Sequence, residues 1–226
     1  MTEVTVTLRV VHDLIATAAE QAGREPTDIR LIAVSKTKPA PMVREALAAG
    51  QRDFAENYLQ EATVKIQALS GSGAIWHFIG RVQSNKTRDI ATNFDWVQTI
   101  DRERIARRLD AHRPAGRPAL NVCIQVRLSA DTDRPGAQID EVAQLATTIE
   151  TLPHLRLRGL MGMPPLETNP ARGRAHFDRL RSIYDCLRQN GHNLDTLSMG
   201  TTADLTSAIA AGATMIRIGT AIFGSR

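Results

Sequence analysis

Cysteine is scarce. Two cysteines in 226 residues, with no Cys-x-x-Cys pair, exclude a disulfide framework and a thiol-based redox or zinc motif. Cys123, in an apolar strand-like run, and Cys186, in a helix-like one, both read as small buried hydrophobes. The six histidines include no His-x-His or His-Glu-x-x-His spacing, so no metal site is expected. No apolar run reaches the ~20 residues that cross a bilayer, and Met1-Thr2-Glu3-Val4 has neither a basic nor an apolar leader region. The expected compartment is therefore the cytoplasm, without membrane contact. Charge of one sign is lacking too: 28 Lys and Arg against 24 Asp and Glu leave +4, too thin for the clustered patch that nucleic-acid binding requires. Locally, only Arg102–Arg108 is basic, and its alternation with Glu103, Ile105 and Ala106 reads as a solvated helix face.

What is present is an ordinary globular composition, 42% hydrophobic and 23% charged, arranged as strand-like runs alternating with amphipathic helices. Thr5–Ala22 reads as an opening helix closed by Gly23 and Pro26. The strand candidates are Leu31–Val34, Asp53–Ala55, Ile75–Ile79, Asp95–Ile100, Leu120–Val126, Leu155–Leu160, Leu194–Ser198 and Met215–Ile218. Helices between them are predicted at Met42–Ala49, around Leu59–Leu69, at Ser84–Ala91, Asp101–Ala111 and Ile139–Thr151, on the stripe Phe177, Leu180, Tyr184 and Leu187, and at Asp204–Ala211. Apolar strands alternating with helices mean parallel βαβ units with both sheet faces covered. Eight units in this length predict one α/β domain over residues 1–226, a (β/α)8 TIM barrel at its compact end with an extra N-terminal helix. An open dinucleotide-binding sheet competes poorly, because Val34-Ser35-Lys36-Thr37-Lys38-Pro39 after the first strand has no glycine.

Barrels place their sites at the C-terminal ends of strands, with phosphate held by the loops after the seventh and eighth. Lys36 stands at the end of the first strand, where partial loss of solvation favours the neutral amine that forms Schiff bases; a solvated loop lysine such as Lys38 is the competing reading. Ser198-Met199-Gly200-Thr201-Thr202 leads from the seventh strand into a helix and Gly219-Thr220 follows the eighth, so both loops offer backbone N–H groups to an anion. Capping by Thr201 or Thr202 is the plainer account of the first loop, as it is for Asp101, Asp204 and Ser84 elsewhere. Arg217 alternates with Ile216 and Ile218 and so points inward, where an unpaired guanidinium is costly and inward acids are few; a ligand partner is expected. His77 between Trp76 and Phe78 fits either the barrel mouth or a hydrogen-bonded core position. A lysine for an aldehyde, a phosphate cup and an inward arginine together describe a pyridoxal 5′-phosphate pocket.

The stretches LIAVSKTKP (31–39), AENYLQE (55–61), WHFIGRVQSNK (76–86), LRGLMGM (157–163), LSMGTTADL (197–205) and RIGTAIFG (217–224) are similar to those of the pyridoxal phosphate homeostasis protein family. The resemblance covers essentially the whole chain. It implies the barrel of the alanine racemase N-terminal domain, with pyridoxal 5′-phosphate held covalently as an internal aldimine on Lys36. It also implies Asn57 near the ring, Arg217 at the pyridine nitrogen, and Ser198, Gly200, Thr202, Gly219 and Thr220 around the phosphate. Four places depart from the family pattern: Ala55 for a glycine, Arg81 for proline or a small residue, Thr201-Thr202 for Met-Ser, and Arg134-Pro135-Gly136 for a Lys-x-Gly loop.

The resemblance implies a non-catalytic carrier or regulator of the cofactor, active in vitamin B6 and amino-acid balance, with pyridoxal-phosphate-dependent apo-enzymes as partners. An amino-acid racemase or decarboxylase is the alternative, and a Schiff-base aldolase acting on a phosphorylated sugar a third. Racemisation requires an acid and a base on both faces of the substrate carbon. The two tyrosines, Tyr58 and Tyr184, both fall on predicted helices, and the sequence has room for the barrel and little else. A monomeric carrier is the expectation.

Overall fold

Short runs of β-branched and aliphatic residues form eight parallel strands that pair in chain order and close on themselves. The computed structural model describes residues 2–129, 134–165 and 170–225. The strands are β1 (Arg30–Val34), β2 (Asp53–Glu56), β3 (Ile75–Phe78), β4 (Trp96–Ile100), β5 (Leu120–Val126), β6 (Leu155–Gly162), β7 (Thr196–Ser198) and β8 (Met215–Ile218). Closure is between β1 and β8, with Ile32 opposite Arg217 and Ala33 opposite Ile218. The α/β barrel expected from the sequence is observed.

Alternation along the strands sorts the core into two shells. Ile216 and Ile218 belong to the large cluster under the helices, whereas Ile32, Val34, Ala55, Trp96, Cys123, Met161 and Met215 form a smaller cluster inside the barrel. Arg217 therefore points inward, as its flanking isoleucines predict. Inward positions also carry His77, Gln98 and Ser198, so much of the barrel interior is polar.

The helices are α1 (Glu3–Gln21), α2 (Ala40–Ala48), α3 (Leu59–Ala68), α4 (Thr87–Asn93), α5 (Glu103–His112), α6 (Val142–Glu150), α7 (Pro170–Gln189), α8 (Leu205–Ala210) and α9 (Thr220–Phe223). Thr2 caps α1 by accepting from the Thr5 N–H, and Val4, Leu8, Val11 and Ile15 form its buried stripe. The basic segment lies on α5, which buries Ile105, Ala106 and Leu109 and turns Arg107 out to pair with Glu103, as a solvated face should.

Several local expectations are corrected. The helices predicted to begin at Ser84 and Ile139 open as 3₁₀ turns, Ser84–Lys86 and Ile139–Glu141, before α4 and α6 start. Tyr58 precedes α3 and is exposed, rather than lying on it. Cys123 is buried but Cys186 is exposed, because it sits on the outer side of α7 while Leu187 takes the core position. The chain also continues past β8 into α9, one turn that buries Ile222 and Phe223 and is tied to α1 by the Thr7 hydroxyl donating to the Ile222 carbonyl. A single turn is too short for a 3.6-residue period to register in sequence.

Candidate functional site

At the C-terminal ends of β1, β2 and β8 a cavity of about 640 Å3 opens, within the size range of small-molecule pockets. Lys36, Asn57, Thr202, Arg217, Gly219 and Thr220 all line it, so six of the eight residues singled out from the sequence come together. A second cavity, about 510 Å3, lies against α7 and α8. Its arginines are already engaged: Arg24 donates to the Ile209 and Ala213 carbonyls, Arg174 and Arg181 pair with Asp178 and Asp185, and Arg188 lies over the Tyr184 ring. The barrel mouth is the candidate.

Lys36 is half-buried, and its amine has no hydrogen-bond or ion-pair partner among the described residues. Its neighbour in the sequence, Lys38, is engaged instead, donating to the Ser225 carbonyl at 2.8 Å. Lys36 is carried by a turn from Ser35 to Lys38, closed by the Lys38 N–H donating to the Ser35 carbonyl at 3.1 Å. The third residue of that turn, Thr37, has φ +64°, a conformation that costs a β-branched residue on the order of 1–3 kcal/mol. The strain is held from α3, where Glu61 accepts the Thr37 N–H at 3.0 Å. On the other flank Lys65 reaches from α3 to the Ser35 carbonyl at 2.6 Å and the Glu56 carboxylate at 2.7 Å, and the Ser35 hydroxyl donates to the same carboxylate oxygen at 2.6 Å. Burial pushes the Glu56 carboxyl up, against the hydrogen bonds from Lys65 and Ser35.

Thr202, Ala203, Thr220 and Ala221 line the same cavity, and among the described residues none of their backbone N–H groups is given to an acceptor. Four such donors, two on the loop after β7 and two at the start of α9, suit an anion with several oxygens. The helix that follows the seventh strand, α8, begins only at Leu205, so Thr202 and Ala203 present their N–H groups from the loop before it. Asp204 does not cap α8 either. It turns back to accept the Thr201 N–H at 2.6 Å and the Thr201 hydroxyl at 3.0 Å, which shapes the loop presenting Thr202. Asn57 adds a buried side-chain oxygen without a partner at the edge of the cavity.

The Arg217 guanidinium is 3% exposed and donates to the Ser198 hydroxyl at 2.7 Å and the Gly162 carbonyl at 2.9 Å. No carboxylate touches it among the described residues. Burial pulls its pKa down to about 10, so it remains a cation at neutral pH.

The family profile described as alanine racemase, N-terminal domain, matches residues 13–226. A pyridoxal phosphate homeostasis protein of Pseudomonas aeruginosa is 52% identical over 212 residues, 94% of this chain and 91% of its own. That of Escherichia coli K12 is 48% identical over 229 residues, 100% of this chain and 98% of its own. This chain belongs to the pyridoxal phosphate homeostasis protein family. The solved structure of PipY from Synechococcus elongatus PCC7942, described with PLP bound, is 37% identical with a TM-score of 0.82, covering 93% of this chain and 100% of PipY. An alanine racemase of Clostridium difficile shares the barrel at 15% identity and a TM-score of 0.74 over 95% of this chain and 56% of its own, a likeness of fold.

Two residues singled out as phosphate neighbours in this family sit elsewhere. Ser198 is fully buried beneath the cavity, between Arg217 and Gln98, to whose Oε1 it donates at 2.6 Å. Gly200 takes φ +94°, and a Cβ there would stand 2.5 Å from that of Ala208, so it makes the turn without lining the cavity. Of the departures from the family pattern, Ala55 is buried inside the barrel, Arg81 is exposed, and Thr201 lines the cavity while bound to Asp204.

Sequence reasoning missed Glu56, Lys65 and Gln98. The signal for Lys65 was available: it falls on the stripe of Ala62 and Leu69, where a lysine has no reason to be unless it is paired. Gly80 was also overlooked. A Cβ on it would lie 2.0 Å from the Asn57 carbonyl oxygen, so Gly80→Ala is expected to displace Asn57, lower the unfolding midpoint in urea by about 1–3 kcal/mol equivalent and widen the cavity mouth.

His77 takes the core alternative, being fully buried with Nε2 2.9 Å from Asp53 Oδ1 and Nδ1 3.0 Å from Gln98. Burial lowers its pKa from the ordinary 6.5, opposed by the bond and the charge of Asp53. An unfolded histidine takes a proton that this ring refuses, so the stability His77 contributes is complete above about pH 6.5 and is lost as pH falls through the lowered folded value. Urea unfolding at pH 7.5 and 5.5 should show a lower midpoint at the acidic value, with a flatter profile in His77→Gln.

Proposed function

We propose that this chain holds pyridoxal 5′-phosphate at the barrel mouth, linked to Lys36, as a carrier or regulator of that cofactor. The observation that carries the reading is the convergence of an unpartnered lysine amine, a buried arginine without a carboxylate and four free backbone N–H groups on one cavity. Relatives of the same name and the PLP-bound PipY structure support it. Lys36 would take the aldehyde carbon, the Thr202–Ala203 and Thr220–Ala221 backbone the phosphate, Asn57 the ring edge and Arg217 the pyridine nitrogen.

When bound, this cofactor supplies an electron-withdrawing ring, most strongly when its ring nitrogen is protonated. A guanidinium that stays charged would donate to that nitrogen and hold it unprotonated, which would weaken the ring as an electron sink. Among the described lining residues no histidine, tyrosine, cysteine or carboxylate stands beside Lys36 to act as a second acid or base. Both features support a holding role over a racemase or decarboxylase. The test is the visible spectrum of the purified chain after loading, followed by borohydride reduction and peptide mapping. A yellow protein labelled at Lys36 is the expected result; a colourless one with no reducible adduct overturns the reading. Turnover of alanine or serine by the loaded chain, lost in Lys36→Ala, would establish the enzyme instead.

A further inference from the structure

Beneath the cavity a hydrogen-bonded line crosses the barrel interior through side chains of five different strands. Arg217 on β8 donates to Ser198 on β7 at 2.7 Å, Ser198 to Gln98 Oε1 on β4 at 2.6 Å, Gln98 Nε2 meets His77 Nδ1 on β3 at 3.0 Å, and His77 Nε2 meets Asp53 Oδ1 on β2 at 2.9 Å. All five residues are buried. Asp53 begins its strand and Arg217 nears the end of its own, so the line joins the floor of the barrel to its mouth.

Its direction is fixed at both ends. A guanidinium can only donate, so the Ser198 oxygen accepts from Arg217 and its proton must go to the Gln98 carbonyl oxygen. The Gln98 amide nitrogen then donates to His77 Nδ1, which leaves the ring proton on Nε2, and this donates to the Asp53 carboxylate. Every member has one role consistent with its neighbours, and bonds aligned head to tail polarise one another. The stacking of His77 on Trp96, with ring centroids 5.3 Å apart, holds the central ring in plane.

We propose that Asp53, His77, Gln98 and Ser198 are positioning residues for Arg217. Asp53, which also lies 3.6 Å from the Arg30 guanidinium at the barrel floor, anchors the far end of the line, and the line turns the Arg217 guanidinium so that its remaining donors face the ligand. This explains why Ser198 lies below the cavity instead of in it, while the favourable charge on Arg217 comes from Asp204. The ligand in question is the one proposed above, so this inference rests on that reading.

The test titrates pyridoxal 5′-phosphate into the cofactor-free full chain, read by absorbance, for wild type, Asp53→Asn, Arg217→Gln and the double variant. Asp53→Asn touches nothing in the cavity, yet its affinity for the probe should fall about fivefold, the lower end of site-to-site coupling. In the Arg217→Gln background the same substitution should change affinity by less than about twofold, because the residue it acts through is gone. Equal effects in both backgrounds, or none in either, overturn the proposal. Should Asp53→Asn not fold, Ser198→Ala removes the middle link with little change of volume and is held to the same two outcomes. Nitrogen-15 shifts of the His77 ring in the cofactor-free chain give a reading independent of loading: a proton on Nε2 is expected, and one on Nδ1 reverses the line and overturns it. A wild type that takes up no probe refutes the cofactor reading itself, and the ring shifts then decide the order of the line.

Discussion

Lys36→Ala is expected to abolish borohydride-trappable label while leaving the fold intact. The Lys36 amine makes no bond within the described chain, and the side chain is half-buried at a rim, so its removal should change stability in urea by no more than about 0.5 kcal/mol. Ligand-linked stabilisation is where the loss appears. With pyridoxal 5′-phosphate at 100 times its dissociation constant, wild type should gain about 2.7 kcal/mol over the cofactor-free chain, and the variant very little of it. The measurement is a pair of urea curves with and without the probe, beside the mass of the trapped peptide. Equal ligand-linked gain in both chains would remove Lys36 from the site.

Lys65→Met should have the largest effect on stability, about 3–5 kcal/mol, because it leaves the Glu56 carboxylate buried and uncompensated. Both side chains are almost fully buried, and the second carboxylate oxygen already lacks a partner, so no alternative donor is at hand. The sign of the pH dependence follows. Burial already favours the protonated Glu56, and without Lys65 that preference grows, so the variant should recover part of its stability as pH is lowered toward 5, when the charge is discharged. Lys65→Met combined with Glu56→Gln should recover part at pH 7.5. Urea unfolding of the three chains at both pH values checks the scheme, and equal losses for the single and double variants would refute it. The same pair grips the Ser35 carbonyl, so the single variant should also slow labelling of Lys36.

The strands were legible because parallel strands buried on both faces read as short apolar runs, and Leu31–Val34 or Leu120–Val126 leave little else to assign. Inward placement of Arg217 was legible from its two isoleucine neighbours. Asp204 was misread as a cap because an acid before a helix looks the same whether it bonds forward or turns back to Thr201. Cys186 was misread because on an amphipathic helix one position separates the buried Leu187 from an exposed neighbour.

By itself, then, the sequence determined the eight-unit alternation, the barrel it closes into, and the candidacy of Lys36, Arg217 and the two small-residue loops, with Asn57 added only by the family resemblance. These follow from local periodicity and from the rule that sites gather at strand ends. The tertiary structure decided how those residues are held. Lys65 reaches Ser35 across 30 positions, and Gln98 meets Ser198 across 100. Such bonds depend on which side chains barrel closure brings to one level, and no local pattern encodes a pairing between β4 and β7.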